Sequence, residues 1–372
     1  MRPYNFSAGP AMLPDEVLRQ AAAEMSNWQG CGMSAMELSH RGHQFGTILR
    51  QARDDLRELL EVPETHRILF MQGGATAMNA IVPMNLVARS GSDATMDFVH
   101  TGVWSGKSLT EAARYGRVNV AASSEKTGFL SVPDENTWKR TKEAAYVHIC
   151  SNETINGNQF HFTPSTGSVP LVADMSSELL SRPVDLSKYG VVYAGAQKNL
   201  GPAGVTVVIV REDLIGHAVP FCPSVFDWQN VCENDSLFNT PPAYAIYVCG
   251  LVFKWLKKRG GVAQMERDSI EKSSMLYDYI DHSDFYRNDV TPGARSRMNV
   301  PFFLENAMLN ESFLEEAAES GLLQLRGHRL TGGMRASLYN AMPVKGVEAL
   351  ITFMRSFERK RKTPTVFNRV GS

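Results

Sequence analysis

The sequence predicts an α/β fold: a mostly parallel sheet covered on both faces by helices, followed by a smaller α+β domain. Three observations carry this. Short apolar runs at 67–71, 95–100, 145–150, 169–173, 190–194 and 205–210 alternate with helical or turn-rich stretches, as strands do when helices join them in parallel order. Polar and glycine residues follow the ends of these runs directly, which is where open α/β sheets bind ligands. From about Val262 the pattern changes to longer helices with few strands.

In chain order, an irregular arm (1–15) precedes apolar residues at helical spacing over 14–25 and 46–60, with the Gly- and Ser-rich stretch 30–42 between them. The run at 67–71 ends in Gln72-Gly73-Gly74-Ala75-Thr76, and a helical pattern follows over 77–88, so this is strand, tight turn, helix. The remaining runs complete a large domain at 16–261. The small domain, 262–362, has helical spacing over 263–279, 313–320 and 344–361 and short strands at 296–304 and 334–337. The polar tail, 363–372, is expected to be unanchored.

Composition narrows the function. With 43% hydrophobic and 21% charged residues, the 372-residue chain has core material for two folded domains. A net charge of -1 gives no global field for DNA or an anionic membrane, so any anion must be bound locally. The N-terminal sequence lacks the apolar segment of a secretion signal. The longest uncharged apolar stretch, 244–253, is far shorter than the roughly 20 residues of a spanning helix. A cytoplasmic protein is expected. Five cysteines without a CxxC give no disulfide framework and no cysteine-rich zinc site, and no metal is expected.

Two strand ends carry the chemistry. Asp174 directly follows the run at 169–173, and Lys198 lies just beyond the run at 190–194. The 24 positions between them suffice for one crossover between adjacent parallel strands. A carboxylate and an amine facing one crevice suit pyridoxal phosphate: the lysine forms the Schiff base, and the carboxylate keeps the pyridine nitrogen protonated so that the ring acts as an electron sink. Taken singly, Asp174 reads more readily as a helix cap and Lys198 as a solvated loop residue, because such residues are common at strand ends. The turn Gly73-Gly74-Ala75-Thr76 offers free N–H groups at a helix start, which suits a phosphate. It is not GxGxxG, and the segment 102–108 misses the P-loop pattern by one residue, so nucleotide binding is disfavoured.

The collinear set Ser39-His40-Arg41-Gly42, Gly102-Val103-Trp104-Ser105, Ser151-Asn152-Glu153-Thr154, Ala194-Gly195-Ala196-Gln197-Lys198-Asn199, Phe238-Asn239-Thr240-Pro241-Pro242, Gly327-His328-Arg329 and Gly333-Met334-Arg335-Ala336-Ser337 resembles the phosphoserine aminotransferases from about residue 5 to 358. The resemblance implies a fold-type-I homodimer with a seven-stranded sheet. It implies that Trp104 stacks on the pyridine ring, Thr154 bonds the ring oxygen, Asp174 meets the ring nitrogen and Lys198 is catalytic. Ala75, Thr76 and Gln197 would hold the cofactor phosphate, with Asn239 and Thr240 reaching across from the partner subunit. Arg335 corresponds to the residue for the substrate α-carboxylate, and His40, Arg41, His328 and Arg329 to the group around the distal anion, where arginine's fork pairs with phosphate or carboxylate. The implied reaction moves an amino group from glutamate to 3-phosphohydroxypyruvate, giving phosphoserine and 2-oxoglutarate, with a related phospho-keto acid of pyridoxal phosphate synthesis as a second substrate. One departure stands out: Ala75 and Thr76 occupy positions where some relatives carry glycine and arginine.

Two other readings exist. A cysteine desulfurase would use the same Asp and Lys but needs a mobile cysteine late in the chain, and none follows Cys249. A cofactor-binding regulator would not need every catalytic position filled, as it is here.

Overall fold

The computed structural model describes residues 2–91 and 94–362, so the expected tail at 363–372 lies outside the described residues. The elements follow in order: β1 (Tyr4–Asn5), α1 (Asp15–Ala23), α2 (His43–Leu60), β2 (His66–Met71), α3 (Gly74–Leu86), β3 (Thr95–His100), α4 (Val103–Ala112), β4 (Arg117–Ser123), β5 (Tyr146–Cys150), β6 (Leu171–Asp174), β7 (Val191–Gly195) and β8 (Thr206–Arg211). They continue with α5 (Trp228–Glu233), α6 (Ala243–Lys258), α7 (Gly261–Asp281), β9 (Tyr286–Arg287), β10 (Asn299–Leu304), α8 (Asn310–Glu319), β11 (Leu322–Leu323), β12 (Met334–Ser337) and α9 (Val344–Lys362).

A seven-stranded sheet in the order β2-β8-β7-β6-β5-β3-β4 forms the centre, and β8 alone runs against its neighbours. The reversal has a simple cause: too few residues separate β7 from β8 for a helical crossover, so the chain turns straight back. Strands β5, β6 and β7 are buried at every position, because both faces are covered. On one face Ile149, Ala173 and Val192 pack with α2 and α6. On the other, Phe98, Val172 and Tyr193 pack with α3 and α5. Helix α6, expected only as an apolar stretch, is the inner helix of the first face; being apolar almost all round, it lacks the amphipathic signature of a surface helix.

A second apolar core joins the inward residues of α7, α8 and α9 to the antiparallel sheet β12-β10-β9. Phe6 and Met12 of the N-terminal arm belong to this core, and β1 pairs in parallel with β11, Tyr4 opposite Leu322. The arm is thus ordered by the C-terminal third of the chain. Among the described residues no helix is long and apolar enough to cross a membrane.

Candidate active site

The parallel strands deliver their polar ends to one edge of the sheet, and a cleft of ≈ 620 Å³ opens there. Its lining includes the arm residues Ala8 and Gly9, the turn Gly73–Thr76, Trp104, Thr154, Asp174, Gln197, Lys198, His328 and Arg335.

Lys198 follows β7, and its Nζ donates to Thr154 Oγ1 at 2.6 Å and stands 5.8 Å from the centre of the Trp104 ring. Burial lowers its pKa below the ordinary lysine value, opposed by the charges of Asp174 and Cys150 and reinforced by Arg335. A lowered pKa enlarges the neutral, nucleophilic fraction of the amine. Asp174 ends β6 at 7% exposure, and its Oδ1 accepts from Ser176 N at 2.9 Å. Burial raises its pKa, against the hydrogen bonds from Ser176 and the charge of Lys198. A carboxylate so placed gains from a proton-bearing nitrogen beside it.

The turn before α3 requires glycine: Gly73 has φ 98° and Gly74 φ 65°, and a Cβ on Gly73 would run into that of Ala77. The first N–H groups of α3 have no acceptor within the helix and open, with Ala75 and Thr76, onto the cleft. Together they form an anion seat at a helix N-terminus. Gln197 lines the same wall, and its carbonyl accepts from Ala11 N at 2.8 Å, which ties the arm beneath Lys198.

Trp104 lies in the first turn of α4, and this helix start is held by Glu153. The Glu153 carboxylate is fully buried and accepts from Trp104 N (2.9 Å), Ser105 N (2.8 Å) and Ser105 Oγ (2.6 Å). It approaches so closely that a Cβ on Gly102 would stand 2.5 Å from Glu153 Cδ. Nothing local in the sequence marks this pairing, since 48 positions separate Ser105 from Glu153.

Arg335 lies on β12, and its Nη1 donates to Thr154 O at 3.3 Å while its Nε has no partner among the described residues. His328 shares the lining, and its pKa is lowered by partial burial and by the neighbouring charges of Arg335, Arg329 and Lys107. The other expected residues lie elsewhere. Arg329 and Arg41 are exposed, His40 is half-buried, and none of the three lines the cleft. Asn239 borders a neighbouring cavity of ≈ 330 Å³ that shares Gly73 with the cleft, and Thr240 O accepts from Gln72 Nε2 at 3.0 Å. The sequence also gave no hint that Ala8 and Gly9 form part of the wall: a Cβ on Gly9, where φ is 140°, would sit 3.2 Å from Lys198 Cγ.

A buried acid in want of a positive N–H, an amine of lowered pKa with an indole 5.8 Å from it, and an anion seat at a helix start, all lining one cleft, together match a phosphorylated pyridine aldehyde. Comparisons with known proteins agree. The sequence model of the family described as "Aminotransferase class-V" matches residues 3–350. The chain is 61% identical over 359 residues to a phosphoserine aminotransferase of Herminiimonas arsenicoxydans, covering 96% of this chain and 99% of the relative, and 60% identical to that of Janthinobacterium sp. (strain Marseille), with the same coverage. Among solved structures, a phosphoserine aminotransferase from Bacillus circulans subsp. alkalophilus superposes with a TM-score of 0.94 at 46% identity, covering 97% of this chain and 99% of the other. A pyridoxal-phosphate-bound one from Trichomonas vaginalis superposes with a TM-score of 0.90 at 40% identity, covering 95% and 100%. The chain therefore belongs to the class-V aminotransferases and, within them, to the pyridoxal-phosphate-dependent phosphoserine aminotransferase family.

Proposed function

We propose that this chain exchanges an amino group between phosphoserine and 2-oxoglutarate, acting in the direction of phosphoserine synthesis from glutamate and 3-phosphohydroxypyruvate. The observation that carries the reading is one cleft uniting Lys198, Asp174, Trp104, the turn at 73–76 and Arg335. Pyridoxal phosphate, when bound, supplies an aldehyde for the amino group and an electron sink for the charge left at Cα. Asp174 would hold the ring nitrogen's proton, Trp104 would cover the ring face, Thr154 would bond the ring oxygen, and Ala75, Thr76 and Gln197 would seat the phosphate. Arg335 would bind the substrate α-carboxylate through its guanidinium, which directs the Cα proton toward Lys198 Nζ. Lys198 then takes that proton as a general base and returns it as an acid.

The distal anion of the substrate, phosphate or side-chain carboxylate, falls to His328 with His40, Arg41 and Arg329. Arg41 and Arg329 stand exposed outside their own chain's cleft, as do Asn239 and Thr240. This supports a homodimer in which surfaces of two chains complete each site. A phospho-keto acid one carbon longer meets the same demand for two separated anions and belongs to the proposal as a second substrate. So do a cytoplasmic location and a division of the chain into 16–261 and 262–362, the latter supported by the separate apolar core. The decisive experiment compares transamination of phosphoserine with that of serine. Arg41→Ala should erase most of the preference for phosphoserine while pyridoxal phosphate still binds; equal loss with both amino acids would refute the assigned role of Arg41.

A further inference from the structure

Lys272, on the inner side of α7, is 1% exposed, and no other lysine or arginine of the described residues is as buried. Its Nζ donates to three backbone carbonyls: Leu338 O at 3.0 Å, Tyr339 O at 2.8 Å and Met342 O at 3.0 Å. Three acceptors need three N–H bonds, which an ammonium has and a neutral amine lacks. Burial pulls its pKa down to about 7, with the charge of Asp268 opposing and that of Arg259 adding to the effect. An apolar side chain would fill this place at lower cost, because burying a cation without a carboxylate partner is expensive. The geometry of the carbonyls shows what that cost secures.

Residues 338–342 follow β12, the strand that carries Arg335, and their far side meets the catalytic lysine's neighbours. Tyr339 Oη donates to Ala8 O at 2.8 Å and accepts from Asn299 Nδ2 at 3.1 Å. Asn340 N donates to Asn199 Oδ1 at 3.0 Å, and Asn340 Nδ2 to Leu180 O at 2.9 Å. Ala8 adjoins Gly9, which packs on the Lys198 stem, and Asn199 is the next residue after Lys198.

We propose that Lys272 is a positioning residue for transamination: a tethered cation that gathers the carbonyls of residues 338, 339 and 342 and thereby holds Ala8 and Asn199 in place next to Lys198 and the Gly9 that packs on its stem. The inference rests on the function proposed above for this cleft. It differs from a packing role in one respect, the need for a positive charge with several N–H donors at the Nζ position.

Lys272→Ala removes the atoms of a propylammonium ion, so the two roles separate by chemical rescue. The purified, cofactor-loaded variant is compared with the parent in kcat/KM for phosphoserine, in pyridoxal phosphate affinity by absorbance titration, and in hydrogen exchange of the amides at 338–346. Each is measured at pH 6, below the Lys272 pKa of about 7, alone, with propylammonium and with 1-propanol. Expected are a roughly tenfold loss of kcat/KM, of the size that small misplacements of catalytic groups produce, a weaker hold on the cofactor, and faster exchange at Asn340 and Met342. Propylammonium should reverse all three, and propanol none. Parental values in the variant, or equal rescue by propanol, would overturn the proposal. If Lys272→Ala does not fold, Lys272→Met, of similar length without the charge, serves: it should show the same loss and faster exchange, and parental behaviour would again overturn it. A parent protein that leaves phosphoserine unchanged while the exchange response persists would sink the functional reading alone.

Discussion

Glu153→Gln isolates the device that aims Trp104. The carboxylate gives two oxygens to three donors, and the amide keeps one oxygen. If that oxygen stays with Ser105, the new NH2 faces Trp104 N across the 2.9 Å now spanned by a hydrogen bond; if the amide flips, it faces Ser105 N across 2.8 Å. Either way two donors meet in a buried place, and a backbone N–H at a helix start loses its partner, which costs about 1–3 kcal/mol. A charge at a helix N-terminus contributes up to about 1 kcal/mol more. Against this, burial raises the Glu153 pKa despite its three donors, so the charge is held at a cost that the amide avoids. The two charge effects offset each other, and the donor conflict remains: about 2 kcal/mol of stability, with a pyridoxal phosphate affinity weakened roughly tenfold as Trp104 shifts. Guanidinium denaturation of the cofactor-free protein reads the first quantity, and absorbance titration the second. A variant within about 0.5 kcal/mol of the parent, the range of ordinary surface changes, and with unaltered affinity would show that the carboxylate does not set the position of α4.

Gly73→Ala places a side chain at φ 98° and against Ala77, so it should destabilise the protein by about 1–3 kcal/mol and weaken binding of pyridoxal phosphate more than that of dephosphorylated pyridoxal, as calorimetry with both would show. Because burial lowers the Lys198 pKa and the neutral amine is the reactive form, capture of the cofactor by the cofactor-free protein should quicken as pH rises and level off before the ordinary lysine value of 10.5. Stopped-flow absorbance tests this, and a plateau only above 10.5 would contradict it. His148 is buried with its pKa pushed down to about 3 from 6.5, so the unfolded chain binds the extra proton between those values and stability falls as pH drops through that window. At pH 4.5 the loss is about 3 kcal/mol, and His148→Phe should remove most of this dependence in denaturation curves recorded at pH 7 and 4.5.

Much of the fold was legible because its signals are local. The strands at 95–100 and 334–337 coincide with the expected runs, the other expected strands of the seven-stranded sheet shift by one or two residues, and β10 begins three residues inside the expected 296–304, since a buried strand is a short apolar run between turn residues. Strand β4 escaped because its exposure follows no alternation at this sheet edge. Lys198, Asp174 and the Gly73 turn were legible because each sits at a strand end, where chain order alone predicts convergence. Glu153, Ala8 and Lys272 were not, because their partners lie 49, 331 and 66 or more positions away and no local pattern encodes such pairings. Arg41 and Asn239 carry clear motifs, yet one chain leaves them outside its own cleft.

The pairing of β1 with β11 sets a timetable for synthesis. Tyr4 leaves the ribosome before any strand of the seven-stranded sheet, whereas Leu322 follows only after that whole sheet has emerged. The nascent chain can assemble that sheet domain first, but the wall formed by Ala8 and Gly9 must wait for its anchor. Until then the Gly9 contact with the Lys198 stem is missing, and cofactor captured early would be loosely held. Tight binding of pyridoxal phosphate during translation should therefore begin late, once residues beyond β12 are free to fold.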